Sequence, residues 1–139
     1  MPDETITKST TVFPVPKPAP RKRNPYREVA RNQERNLAKR LGGKRIPLSG
    51  GGTIKGDVLS KHVLAECKTS HTLNAKGEKV MTLQKEWLVK AEEEARAEGK
   101  PFAVTEIRFK GDHRSWMLID SEVLIALLNE VSACREQAR

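Results

Sequence analysis

Apolar positions along this chain recur with two different periods, and each change of period marks the border of an element. Residues 25–41 carry the helical spacing: Val29, Gln33, Leu37 and Leu41 stand four apart, Pro25 suits a first turn, and Gly42-Gly43 ends the segment. A second helix is predicted over 82–98, with Thr82 as N-cap, with Leu83, Trp87, Leu88, Ala91 and Ala95 facing inward, and with Gly99 and Pro101 as its stop. A third begins at Asp120 or Ser121 and carries Val123, Leu124, Leu127, Leu128 and Val131. Between the helices the pattern is that of strands. Three are predicted over 44–48, 57–60 and 62–69, and two more over 102–109 and 114–119 around the turn Lys110-Gly111-Asp112-His113. Residues 70–80 are polar and read as an exposed loop or irregular hairpin, and Ser49-Gly50-Gly51-Gly52 as a flexible loop. The order is helix, three strands, helix, two strands, helix. It predicts one α/β domain in which helices flank a small mixed sheet.

The first 25 residues break both patterns. Prolines at 14, 16, 18 and 20 favour an extended path and exclude helix, and Arg21, Lys22 and Arg23 follow them. The expected organisation is a flexible, Pro-rich basic arm over 1–25 and one folded domain over 26–139.

Composition narrows the class. Hydrophobic residues are 37% and aromatics 4%, so the core is small and aliphatic. No apolar run approaches the roughly 20 residues that span a bilayer, and Met-Pro-Asp-Glu-Thr lacks the start of a secretory signal. Cys67 and Cys134 have no ligand spacing and form no disulfide framework, which argues against zinc and for a reducing, intracellular setting, cytoplasmic or nucleoid-associated. The net charge is +8, and its placement is informative. Residues 1–45 hold 12 Lys and Arg against 4 Asp and Glu, while the remaining 94 hold 14 of each. A basic front on a neutral body suits a phosphate-backbone binder, or equally a solubilising tail.

Candidate chemistry lies in the strand over 62–69. Alternation puts Val63, Ala65 and Cys67 on one face, Glu66 and Lys68 on the other. Charged residues inside an apolar strand are costly to bury unless compensated. If the preceding strand folds back through Ser60-Lys61, Asp57 comes near Glu66. Two carboxylates converging with a lysine suit phosphodiester hydrolysis, which needs neutralised phosphate charge and an activated water. The same spacing also fits an ordinary surface Glu–Lys pair. His71 and His113 stand alone in predicted loops and read as solvated. Trp87 and Trp116 fit core or interface positions better than base stacking. The run Glu92-Glu93-Glu94 reads as a solvated helix face, and Cys67, on the buried side of its strand, does not read as a nucleophile.

Gly56-Asp57 followed nine residues later by Glu66-Cys67-Lys68 resembles the PD-(D/E)XK nuclease signature, with Gly56 where the motif is named for proline. The surroundings resemble the archaeal-type Holliday junction resolvases: Glu34-Arg35-Asn36-Leu37 on the first helix, Arg45-Ile46-Pro47-Leu48-Ser49-Gly50 as strand and serine loop, and Gln84 near the start of the second helix. The resemblance covers roughly residues 26–120 and implies a restriction-endonuclease-like fold. It also implies Mg²⁺- or Mn²⁺-dependent endonuclease activity on branched or four-way DNA, in recombination and repair. It makes Asp57, Glu66, the Cys67 backbone carbonyl and Glu34 metal ligands, Lys68 the catalytic lysine, and Gln84 a hydrogen-bonding partner near the metal water. Ser49 and Arg45 become DNA contacts, and Arg35, Lys44 and the Arg21-Lys22-Arg23 cluster extend the basic surface. A homodimer follows from the need for two symmetric nicks, with the apolar stripe of the last helix, Trp116 and Met117 as its contact surface. Homing, restriction-like or repair cleavage of duplex DNA is the alternative substrate class, and a non-catalytic basic DNA-binding protein the alternative outside enzymes. A viral or mobile-element origin fits as well as a cellular one.

Overall fold

A computed structural model describes residues 24–47 and 55–138 of the chain. The expected arm up to residue 23, with Arg21, Lys22 and Arg23, and the loop serine Ser49 lie outside the described residues.

Helix α1 spans Pro25–Arg40. Asn24 caps it by accepting the Tyr26 N–H on its side chain, and proline occupies the first helical position, where no intrahelical donor is needed. Gly42, at φ +60°, takes the chain out of the helix. Five strands then build the main sheet in the order β1 (Lys44–Arg45), β2 (Val58–Leu59), β3 (Val63–Ser70), β6 (Phe102–Phe109) and β7 (Ser115–Leu118). Neighbours are antiparallel except β3 and β6, which run parallel. A parallel pair requires a crossover. Here it contains a small hairpin of β4 (Thr72–Leu73) and β5 (Lys79–Val80) and helix α2 (Lys85–Ala97). Helix α3 (Ser121–Gln137) closes the domain, capped by the Asp120 carboxylate on the Glu122 and Val123 N–H groups.

The sheet is covered on both faces. Leu37 and Ala38 of α1 pack with Val58, Ala65 and Val104 on one side. Ala95 of α2 packs with Ile46 and Leu64 on the other. The β3 alternation follows: Val63, Ala65 and Cys67 turn toward α1, and Leu64, Glu66 and Lys68 toward α2. The α/β class and the element order are as expected, with a five-stranded mixed sheet and three helices.

The polar segment 70–80 is mostly exposed and forms a short hairpin of β4 and β5, one of the two forms expected for it, steadied by the Asn74 side chain, which accepts the Lys76 and Glu78 N–H groups. Two expectations are corrected. The second helix begins with Gln84, not Thr82, at the N-cap, and Leu83 stands 44% exposed ahead of it. The third helix has no buried residue: Leu124, Leu128 and Val131 are exposed, and Val123 and Leu127 only half-buried. Its apolar stripe is too wide for the surface available beneath it. Among the described residues, no helix is long and apolar enough to cross a membrane.

A polar network anchors α1 to the sheet. The Glu106 side chain is almost fully buried and accepts hydrogen bonds from Gln33 Nε2 (3.1 Å), Arg40 (2.9 Å) and Ser115 Oγ (2.7 Å). Thr69 in turn donates to Gln33 Oε1. Three donors leave neither oxygen of this buried side chain orphaned, the condition under which burial is tolerated.

Candidate active site

The β2–β3 turn is tight. Ser60 donates its N–H to Val63 O, and the ladder pairs Val58 with Ala65. Just before the ladder, the Asp57 N–H donates to Ala65 O, the residue that Val58 faces, and Asp57 comes near enough for its charge to act on Glu66. Asp57 is held in place by its side chain as well: the Cys67 N–H donates to Oδ2 at 2.7 Å. The third functional group sits two residues along β3, where Lys68 Nζ lies 3.4 Å from Glu66 Oε2 and 5.4 Å from the Trp87 ring centre.

Glu66 and Lys68 open into a cleft of about 170 Å³ beneath α2, lined also by Trp87, Lys90, Ala91, Glu94 and Thr105. Burial, and next the negative charge of Asp57, push the Glu66 carboxyl above the ordinary carboxylate range, and Lys68 acts in the opposite sense. The two acids therefore feel each other's charge, and the lysine compensates only partly. Burial, reinforced by Asp57 and then Glu106, also pushes the Cys67 thiol far up, so it stays protonated and is no nucleophile.

The backbone at Gly56 excludes proline. Its φ is +83°, a conformation closed to proline, whose ring holds φ near −65°. A Cβ at this position would lie 2.7 Å from Leu64 Cδ1. The turn into Asp57 therefore demands glycine.

Other expected residues fall elsewhere. Glu34 belongs to α1, on the face opposite Glu66, and accepts a hydrogen bond from Arg45 Nε. Its charge reaches the Cys67 thiol, so it approaches the region from the far side of β3. Gln84 is exposed at the helix start, and its side chain makes no capping hydrogen bond. Arg35 and Lys44 are exposed. Lys90 and Glu94 are new to the site. Glu94 is only half-buried in an acidic run expected to be wholly solvated, and it pairs with Lys90 across one turn at 3.6 Å. Their four-residue spacing showed a helical pair, but not the strand they cover.

Among the described residues, no group of three or more His, Cys, Asp or Glu side chains gathers as a metal cluster. Asp57 and Glu66 are two carboxylates near enough for the charge of one to act on the other. Hard oxygen donors in that number suit Mg²⁺, which keeps several of its waters. Comparison with protein-family models, with curated proteins and with solved structures found no match.

Proposed function

We propose that the chain is a metal-dependent DNA endonuclease with a restriction-endonuclease-like core, acting on branched DNA. The observation that carries this reading is the arrangement of Asp57, Glu66 and Lys68. Asp57 and Glu66 stand on adjoining antiparallel segments, near enough for the charge of one to act on the other, Lys68 is ion-paired to Glu66, and Asp57 is fixed by the Cys67 N–H. In a strand the N–H and C=O of one residue point to the same edge. The Cys67 carbonyl therefore faces the edge that carries the Asp57 carboxylate, which favours it as a third oxygen donor.

When bound, Mg²⁺ or Mn²⁺ supplies Lewis acidity at the phosphoryl oxygen and lowers the pKa of water. The chain's own residues do the rest. Asp57 and Glu66 supply the negative charge that holds the cation, whose presence relieves their mutual repulsion. Lys68, steadied by Glu66 and Trp87, directs its ammonium at the attacking water and at the charge that builds on phosphorus. A water oxygen bonds to phosphorus in line, the bond to the leaving sugar oxygen breaks, and that oxygen takes up a proton. Arg45, Arg35, Lys44, Ser49 and the Arg21-Lys22-Arg23 cluster serve as backbone contacts, Glu34 orients Arg45, and Gln84, exposed at the start of α2, is free to hydrogen-bond to the substrate. A second copy of the chain, paired through the exposed apolar face of α3, brings the second active site that symmetric nicking requires.

The test is Mg²⁺-dependent cleavage of a synthetic four-way junction against linear duplex, with Asp57→Asn as control. Junction cutting that the variant lacks supports the proposal. Cutting confined to linear duplex moves the substrate to a homing, restriction-like or repair class. Binding without cleavage in either Mg²⁺ or Mn²⁺ refutes the enzyme.

A further inference from the structure

Helix α1 carries a row of cations that its packing does not use and of which the proposed function takes up Arg35 alone. Arg27, Arg31, Arg35 and Lys39 stand four residues apart, and all four are exposed. Four residues advance a helix by about 6 Å and overshoot one turn by about 40°, so the row slants over about 18 Å of helix surface. The opposite side of the helix is buried through Gln33, Leu37 and Ala38, which fixes the direction in which the row faces.

Local stability does not explain the row. Like charges four apart on a helix repel one another. Two acids share the helix with these cations: Glu34 is committed to Arg45, and Glu28 alone stands exposed. The nearby acid Glu106 is committed to Arg40. At the helix start the basic surface continues onto the β6–β7 turn, where Lys110 Nζ lies 5.9 Å from the Tyr26 ring centre and His71 packs edge-on against the same ring. Buried Glu106, bonded to both Gln33 and Arg40, holds this ridge rigidly against the sheet.

We infer that the outer face of α1 is a binding surface for the sugar-phosphate backbone of duplex DNA, separate from the contacts at the carboxylate pair. The inference rests on the reading of the ligand as DNA. It adds that the polyanion is gripped on two sides: α1 covers one face of the sheet, while Glu66 and Lys68 open on the other. One straight duplex limb does not reach both. A substrate with two limbs, or one bent around the β1 edge, does.

The test is equilibrium binding of a fluorescent duplex in EDTA over a series of salt concentrations, so that cleavage plays no part. Each phosphate contact contributes about 0.9 to the slope of log affinity against log salt. The variant Arg27→Gln/Arg31→Gln/Lys39→Gln is expected to flatten that slope by about 3. The charge-preserving variant Arg27→Lys/Arg31→Lys/Lys39→Arg should keep it, and circular dichroism checks that both remain folded. Lys61→Gln/Arg96→Gln/Arg135→Gln removes as many exposed charges elsewhere and should leave most of the slope. An unchanged slope in the first variant, an equal fall in the third, or no duplex binding by the wild-type protein overturns the inference. None of these outcomes depends on whether Asp57 and Glu66 support hydrolysis, which the cleavage assay reads separately.

Discussion

The Asp57 carboxylate accepts the backbone N–H of Cys67 at 2.7 Å, so the residue between Glu66 and Lys68 also fixes the acid on the neighbouring segment. One strand thereby presents Glu66 and Lys68 on one face and positions Asp57 through its backbone. The geometry survives only while position 57 keeps an acceptor.

That requirement separates two substitutions. Asp57→Asn retains an oxygen for the Cys67 N–H but loses the charge that holds a cation. It should fold normally, bind DNA as the wild type does, and cleave on the order of 100-fold more slowly or worse. Asp57→Ala orphans the N–H as well and should lose about 1–3 kcal/mol of stability in addition. Cleavage kinetics beside thermal melts distinguish them, and an Asp57→Asn protein that cleaves at the normal rate would refute the metal role.

Glu66 couples function to stability with a defined sign. Its carboxyl is raised in the folded state, first by burial and then by Asp57. Such a group contributes its full stability below the ordinary value of 4.5, and the contribution is lost as pH rises through the elevated folded value. Glu66→Gln in EDTA should therefore be more stable than wild type at pH 7. The difference should vanish below pH 4.5. Adding Mg²⁺ should raise the melting temperature of the wild type and not that of the variant. Melting curves across pH and metal concentration measure both effects, and a variant less stable than wild type at pH 7 contradicts the assignment.

Removing Glu106 strands its donors. Glu106→Ala should cost about 1–3 kcal/mol in urea denaturation, because buried Gln33 loses its acceptor while Arg40, 58% exposed, turns to solvent. Glu106→Gln keeps an acceptor and should cost less. Equal losses would mean that the charge of Glu106 is immaterial.

Gly56 gives an inverted expectation. Restoring the proline for which the motif is named should damage this protein, since the site needs φ +83°. Gly56→Ala should destabilise by about 1–3 kcal/mol through backbone strain and its approach to Leu64. Gly56→Pro should do so by more, both read by thermal denaturation.

The exposed face of α3 can be tested directly. Leu128 is 57% exposed and Ile125 51%. If they meet a second copy, Leu128→Glu should convert a dimer to a monomer in analytical ultracentrifugation without unfolding it. A wild-type protein that is monomeric at all concentrations removes the dimer from the proposed function.

Much of this molecule was legible locally. Strand alternation separated Glu66 and Lys68 from Val63, Ala65 and Cys67, and the short turn through Ser60 and Lys61 brought Asp57 back toward them. Helix spacing found α1 and α2, although the propensity of Thr82 to cap pointed two residues too early. Periodicity assigns a side chain to a face and is silent on what covers that face. It therefore placed the α3 leucines on an inner stripe that the structure leaves exposed, and it left Glu94 in solvent where it lines the cleft.

From order and pattern alone came the α/β class, the strand that carries Glu66 and Lys68, and the glycine before Asp57. Tertiary structure decided that β3 and β6 lie side by side in parallel, that Glu106 meets Gln33 and Arg40, and that Glu34 turns to Arg45. Local preferences act over a few residues. These partners stand between 11 and 73 positions apart, and only the closing of the sheet and the docking of α1 bring them together.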